Sequence, residues 1–275
     1  SVGAENSWAS VIVATDEPTS IPSSGYSLDS EIGFLMAGQT HTFSMQIEEA
    51  NGIGTLDNIT VMLCGDGPSN IGKMSYDPSR GTLWSSPDSM VTPLSVQTQS
   101  VTSTVTQLSM EFTLSWEYPW EESQSSCKPS VSILDDLNTV AYQNNIGELS
   151  WQLDNKFMAM PDSIVDLTEP VMEAIDEQLF LRQGDEFSIS GSIVYAGSGV
   201  PITDIPEGLM VEASVIYGSA IISSDADVTS NSRFTITVPL PDRVPLSPYM
   251  GVSVEVMNVP GLGSSSSNED FSVVV

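Results

Sequence analysis

The chain has one histidine, His41, so a Ser-His-Asp relay would have to run through that residue. His41 falls on the same alternating parity as Phe43 and Met45, which marks it as a core or interface residue rather than a base in a cleft. The sequence carries no G-x-S-x-G, no H-E-x-x-H, no phosphate-binding loop and no G-x-G-x-x-G. A glycosidase needs only two carboxylates at the right separation, but among 36 acidic residues a pair picked from sequence carries almost no information. The residues read as non-catalytic.

Other side chains could bind. Calcium is the inorganic partner that carboxylates and loop carbonyls would suit. The acidic clusters are Asp225 and Asp227, Asp135 and Asp136, and a linker-side group of Asp166, Asp176, Glu177 and Asp185. The first two also read as Asp-rich turns whose side chains cap local amides, and none has EF-hand spacing. Trp84, Tyr118 and Trp120 are candidates for an aromatic platform that binds surface glycans, with core packing as the competing reading. Asn58-Ile-Thr60 is a lone glycosylation sequon. Cys64 and Cys127 are the whole thiol inventory and belong to no C-x-x-C pair. A disulfide between them is the expectation, with two buried thiols as the alternative.

The composition narrows the partners. Seven Lys and Arg against 36 Asp and Glu give a net charge of −29, which disfavours nucleic acid and anionic membrane surfaces. At 40% hydrophobic residues the chain is nonetheless a folding one. Residues 1–160 carry 4 bases and 19 acids, and residues 161–275 carry 3 and 17, so the imbalance runs evenly through the chain. With so few cations, most carboxylates are left to water and dissolved ions, which points to a saline exterior. No apolar run is long enough for a transmembrane helix.

The elements that position these residues read as strands. Phe187, Ile189, Ile193 and Tyr195 alternate with serines, and the period recurs in Leu209–Tyr217, Phe234–Val238, Val252–Val256 and Phe271–Val275. Turn chemistry separates them, including Gly197–Gly199, Asp225–Asp227 and Pro260-Gly261. Earlier strands are expected over Trp8–Thr15, His41–Glu48, Ile59–Cys64, Ser109–Tyr118, Ser130–Leu134, Thr139–Gln143 and Leu149–Leu153. A long excursion over 65–103 should hold a hairpin around Met74–Tyr76 and Thr82–Trp84, followed by a Ser/Thr-rich strand or arm. A weak repeat sets Glu31–Gly38 against Glu177–Gly184, with His41, Phe43 and Ile47 against Phe187, Ile189 and Ile193.

The segment Leu181–Gly191, the Pro260–Leu262 turn and the closing Phe271–Val275 strand together resemble the immunoglobulin-like repeat modules of large bacterial and archaeal surface proteins, adhesins and S-layer-type proteins among them. The resemblance covers 160–275 and, more loosely, 20–157. It implies an extracellular, cell-surface spacer or adhesive role and transfers no functional residue. The expectation is therefore an all-β chain of two tandem antiparallel immunoglobulin-like β-sandwiches, 1–157 and 158–275, with a linker in Lys156–Pro170. Partners would be neighbouring modules or other copies of the chain. A carbohydrate-binding module of an exported hydrolase is the alternative.

Overall fold

The computed structural model describes residues 18–274 apart from 23–24, 31–32, 66–70, 87–88, 120–126, 136–139, 144–145, 147–148, 169–177, 229–230, 245–249 and 260–262. The expected strand Trp8–Thr15 lies outside them. Among the described residues there is no α-helix. The strands of the first half are β1 (Ser27–Leu28), β2 (Phe34–Met36), β3 (Thr40–Glu48), β4 (Leu56–Met62), β5 (Lys73–Asp77), β6 (Thr82–Ser85), β7 (Val91–Ser100), β8 (Val105–Leu114), β9 (Ser130–Asp135), β10 (Val140–Gln143) and β11 (Gln152–Asp154). Those of the second are β12 (Phe157–Asp166), β13 (Gln178–Phe180), β14 (Glu186–Tyr195), β15 (Met210–Tyr217), β16 (Ala220–Val228), β17 (Arg233–Pro239), β18 (Met250–Val259) and β19 (Gly263–Val274).

Alternation turns these strands into two-faced sheets. On β3, His41, Phe43, Met45 and Ile47 are buried while the residues between them are not. They pack with Leu108, Met110 and Phe112 of β8, from the sheet β1-β3-β8-β7, and with Ile59, Val61, Val131 and Ile133 of the sheet β10-β9-β4-β5-β6. Ile189 and Ile193 of β14 and Ile236 of β17, from the sheet β12-β14-β17, meet Val211 and Ala213 of β15 and Val252, Val254 and Val256 of β18, from the sheet β13-β19-β18-β15-β16. Each core thus joins the inner faces of two sheets, an immunoglobulin-like β-sandwich arrangement.

The sequence repeat has a backbone counterpart. In each half an opening strand pairs antiparallel with the first long strand, β1 with β3 and β12 with β14. The chain then leaves that sheet, and a short strand runs parallel to that half's last strand: β2 along β11 as a separate two-stranded sheet, and β13 along β19 at the edge of the five-stranded sheet. A glycine with positive φ follows, Gly38 at 76° and Gly184 at 84°, and turns the chain into the long strand.

Two segments differ from expectation. The linker stretch is largely strand: β12 occupies Phe157–Asp166, bulging around Pro161 where the ladder with β14 shifts register. Asp225-Ala-Asp227, expected as a turn, lies inside β16, an edge strand paired with β15. An edge strand tolerates charge because one flank is open to water, so its composition imitates a loop. Cys64 and Cys127 form a disulfide, with Cα atoms 4.7 Å apart. It ties the ends of the paired strands β4 and β9, next to the Met62–Ser130 pair.

Candidate functional site

The densest polar and aromatic cluster lies where the chain passes from one core to the other. β11 ends at Asp154, and β12 begins three residues later at Phe157. Each residue of the crossing is held. The Asp154 carbonyl accepts from Ala37 N at 3.0 Å, Asn155 Nδ2 donates to the Trp116 carbonyl at 3.1 Å, and the Lys156 carbonyl accepts from Ala196 N at 2.8 Å.

Trp116 follows β8 and packs against both cores. Its ring stacks on Tyr195 at a centroid distance of 6.4 Å and meets Phe157 edge-on at 5.4 Å, while Phe157 and Tyr195 are 5.3 Å apart. The Tyr195 hydroxyl, carried by the last residue of β14, donates to the Ala37 carbonyl at 2.6 Å. Burial drives this phenol above the usual range, and the charges of Asp154 and Asp204 add to the rise.

Asp154 is 2% exposed. Its Oδ1 accepts from Gly197 N at 3.1 Å and its Oδ2 from Ser198 N at 2.7 Å, so one carboxylate clamps the turn after β14. Desolvation raises its pKa, and the bonds from Gly197 and Ser198 pull the other way. Glycine is needed at 197: a Cβ there would lie 2.9 Å from the Phe34 ring and 3.0 Å from Asp154 Oδ2. This arrangement orients two units of structure, and its one carboxylate is committed to backbone amides.

His41 is 3% exposed, and its ring nitrogens face the carbonyls of Met36 at 2.9 Å and Asp29 at 3.3 Å. The acidic candidates do not converge. Among the described residues, no group of three or more His, Cys, Asp and Glu side chains could hold a metal ion. Asp225 and Asp227 are exposed on β16. Asp135 is buried on β9 opposite Leu56. Asp166 accepts from Thr168 N at 2.8 Å and Asp185 from Arg182 N at 2.6 Å, so both carboxylates cap local amides. Asp136, Asp176 and Glu177 lie outside the described residues, as does Trp120.

The aromatic platform is corrected at Tyr118. Its ring is buried and packs edge-on against Trp151, whose Nε1 donates to the Leu63 carbonyl, so it offers no face to a sugar. Trp84 is 42% exposed on β6. Asn58 is half-buried on β4, and the nitrogen that would carry a glycan donates to Thr60 Oγ1 at 3.3 Å. The sequence reading does not single out Asp154, which looks like any strand-end acid. The turn Gly197–Gly199 is legible as a turn, but its partner stands 43 residues away.

No family model and no curated protein matches the sequence. Solved structures similar to the chain include a marsupial T cell receptor, at 11% identity and a TM-score of 0.27, covering 90% of this chain and 100% of that one. A DUF4785 family protein from Legionella pneumophila matches at 10% identity and a TM-score of 0.26 over 88% of this chain; the chain spans about half, 53%, of that protein. Strand order and the two cores carry the fold assignment: an all-β chain of immunoglobulin-like sandwich build.

Proposed function

We propose that the chain is a non-catalytic structural or adhesive segment of a larger secreted or cell-surface protein, built from two tandem sandwich modules and adapted to a saline exterior. The observation that carries the reading is the crossing at 154–157, where two cores are joined by a linker held through the carboxylate and carbonyl of Asp154, Nδ2 of Asn155 and the carbonyl of Lys156. A stiff junction suits a spacer. The disulfide accords with an oxidising location. The engagement of His41 with main-chain carbonyls supports the non-catalytic assignment.

Among the described residues, Arg80–Asp77 and Arg233–Asp162 are ion pairs of exposed arginines, which contribute little to stability. Screening ions are left to offset the self-repulsion of the remaining carboxylates. Thermal unfolding in NaCl, in CaCl₂ and with EDTA tests the saline assignment. The midpoint is expected to rise with NaCl, and calcium bound at the acidic clusters would add an EDTA-reversible increment. A midpoint indifferent to all three would overturn it.

A further inference from the structure

The repeat places two sets of residues in equivalent positions. With Gly38 matched to Gly184, Phe34 corresponds to Phe180, Met36 to Arg182 and Ala37 to Gln183, while the turn Glu49–Gly52 corresponds to Tyr195–Ser198. The side chain lying over the turning glycine extends the match: a Cβ on Gly38 would strike Trp116, and one on Gly184 would lie 2.8 Å from Asp242 Oδ1. At the internal junction Phe34, Ala37 and Trp116 hold the turn after β14. Their counterparts Phe180, Gln183 and Asp242 form the far end of the second half, where Phe180 is 46% exposed and Leu167 is 45% exposed.

That end is one surface. Gln183 Nε2 donates to the Val244 carbonyl at 2.7 Å, and Leu167 N donates to the Glu186 carbonyl at 2.8 Å. Arg182 and Arg243, two of the chain's seven cations, are exposed on it together with Asp242 and Glu186. The equivalent turn at the outer end of the first half is acidic, with Glu48 exposed beside Ala50 and Asn51.

We infer that the far end of the second half, around Phe180 and Arg182, docks the Glu48–Gly52 turn of a second copy of this chain, repeating the internal junction head to tail. The inference rests on the reading of the chain as tandem sandwich modules and names the surface and partner that extend them. The second contact is wetter than the first. Arginine replaces Met36, aspartate replaces Trp116, and Asn51 stands where Gly197 allows close approach. A small polar contact between copies that repel one another is weak and depends on screening. Because the two surfaces differ, association is heterologous and does not close at a dimer.

Sedimentation of the full chain at roughly millimolar concentration and about 1 M NaCl, where the screening length is about 3 Å, tests this. The weight-average mass is expected to climb past twice the monomer without a plateau. Phe180→Asp and Arg182→Glu on one end, and Ala50→Lys on the other, should each return it to the monomer value while leaving the thermal midpoint unchanged. A wild-type monomer, a plateau at the dimer, or association that survives these substitutions overturns the inference. A monomer that is still stabilised by salt would overturn the docking alone and leave the proposed function standing.

Discussion

Tyr195 Oη and the Ala37 carbonyl are hydrogen-bonded at 2.6 Å across 158 residues of sequence, one on each side of the crossing between the two cores. Tyr195→Phe keeps the ring against Trp116 and Phe157 but strands a buried carbonyl. The expected loss is about 1–3 kcal/mol of unfolding free energy, read as a lowered thermal midpoint. An unchanged midpoint would show that water replaces the hydroxyl at no cost.

Asp154→Ala leaves the amides of Gly197 and Ser198 without their acceptor, which should also cost about 1–3 kcal/mol near neutral pH. The pH dependence adds a sign. Because burial raises the pKa of Asp154 in the folded state, folding takes up a proton through this group. Its contribution is then greatest below the unfolded pKa and declines as pH rises through the folded one. On acidification from neutral, wild type should therefore gain stability relative to Asp154→Ala, with the other carboxylates cancelling in the comparison. Paired melting curves between pH 7 and pH 4 check this; a gap that narrows would contradict it.

Gly38 and Gly199 share a left-handed backbone, with φ of 76° and 72°, but not the same surroundings. A Cβ on Gly199 meets nothing within 4 Å, whereas one on Gly38 would sit 2.1 Å from the Trp116 ring. Gly199→Ala should cost only the backbone penalty of about 1–2 kcal/mol. Gly38→Ala adds overpacking against a pinned ring, for about 2–5 kcal/mol in all. Denaturant midpoints of the two variants give the comparison, and equal losses would mean that Trp116 moves aside freely.

Reduction of Cys64–Cys127 frees a loop of 63 residues in sequence separation. Chain entropy alone predicts a loss of about 4 kcal/mol. Guanidinium unfolding with and without reductant measures it, and coincident curves would mean that the unfolded chain is already restrained there.

Most of the strands are legible in sequence because burial on one face imposes period two, as in Phe187, Ile189 and Ile193 against Ser188, Ser190 and Ser192. The hairpin of β5 and β6 and the Ser/Thr-rich β7 also follow from local pattern, and the repeat at Gly38 and Gly184 proves to be a shared change of sheet. The misreadings have local causes. β16 carries exposed Ser and Asp on an edge, which imitates a loop, and β12 is interrupted by Pro161 at a bulge. Tyr118 sits in a cluster of aromatic residues that resembles a surface platform, but its burial depends on Trp151, 33 positions away. The junction is the least legible feature, since Asp154, Trp116 and Tyr195 meet only through tertiary structure.

Asp225 and Asp227 stand opposite Ala213 and Val211, whose side chains are buried in the core. Directly paired residues share a face, so these acids lie on the inward side of a strand whose outer flank has no neighbour in its sheet among the described residues. Another chain adding itself to that flank would extend the sheet over them and force two carboxylates out of water, a standard protection of open edges. Growth sideways, the route to tangled aggregates, is thereby penalised at β16.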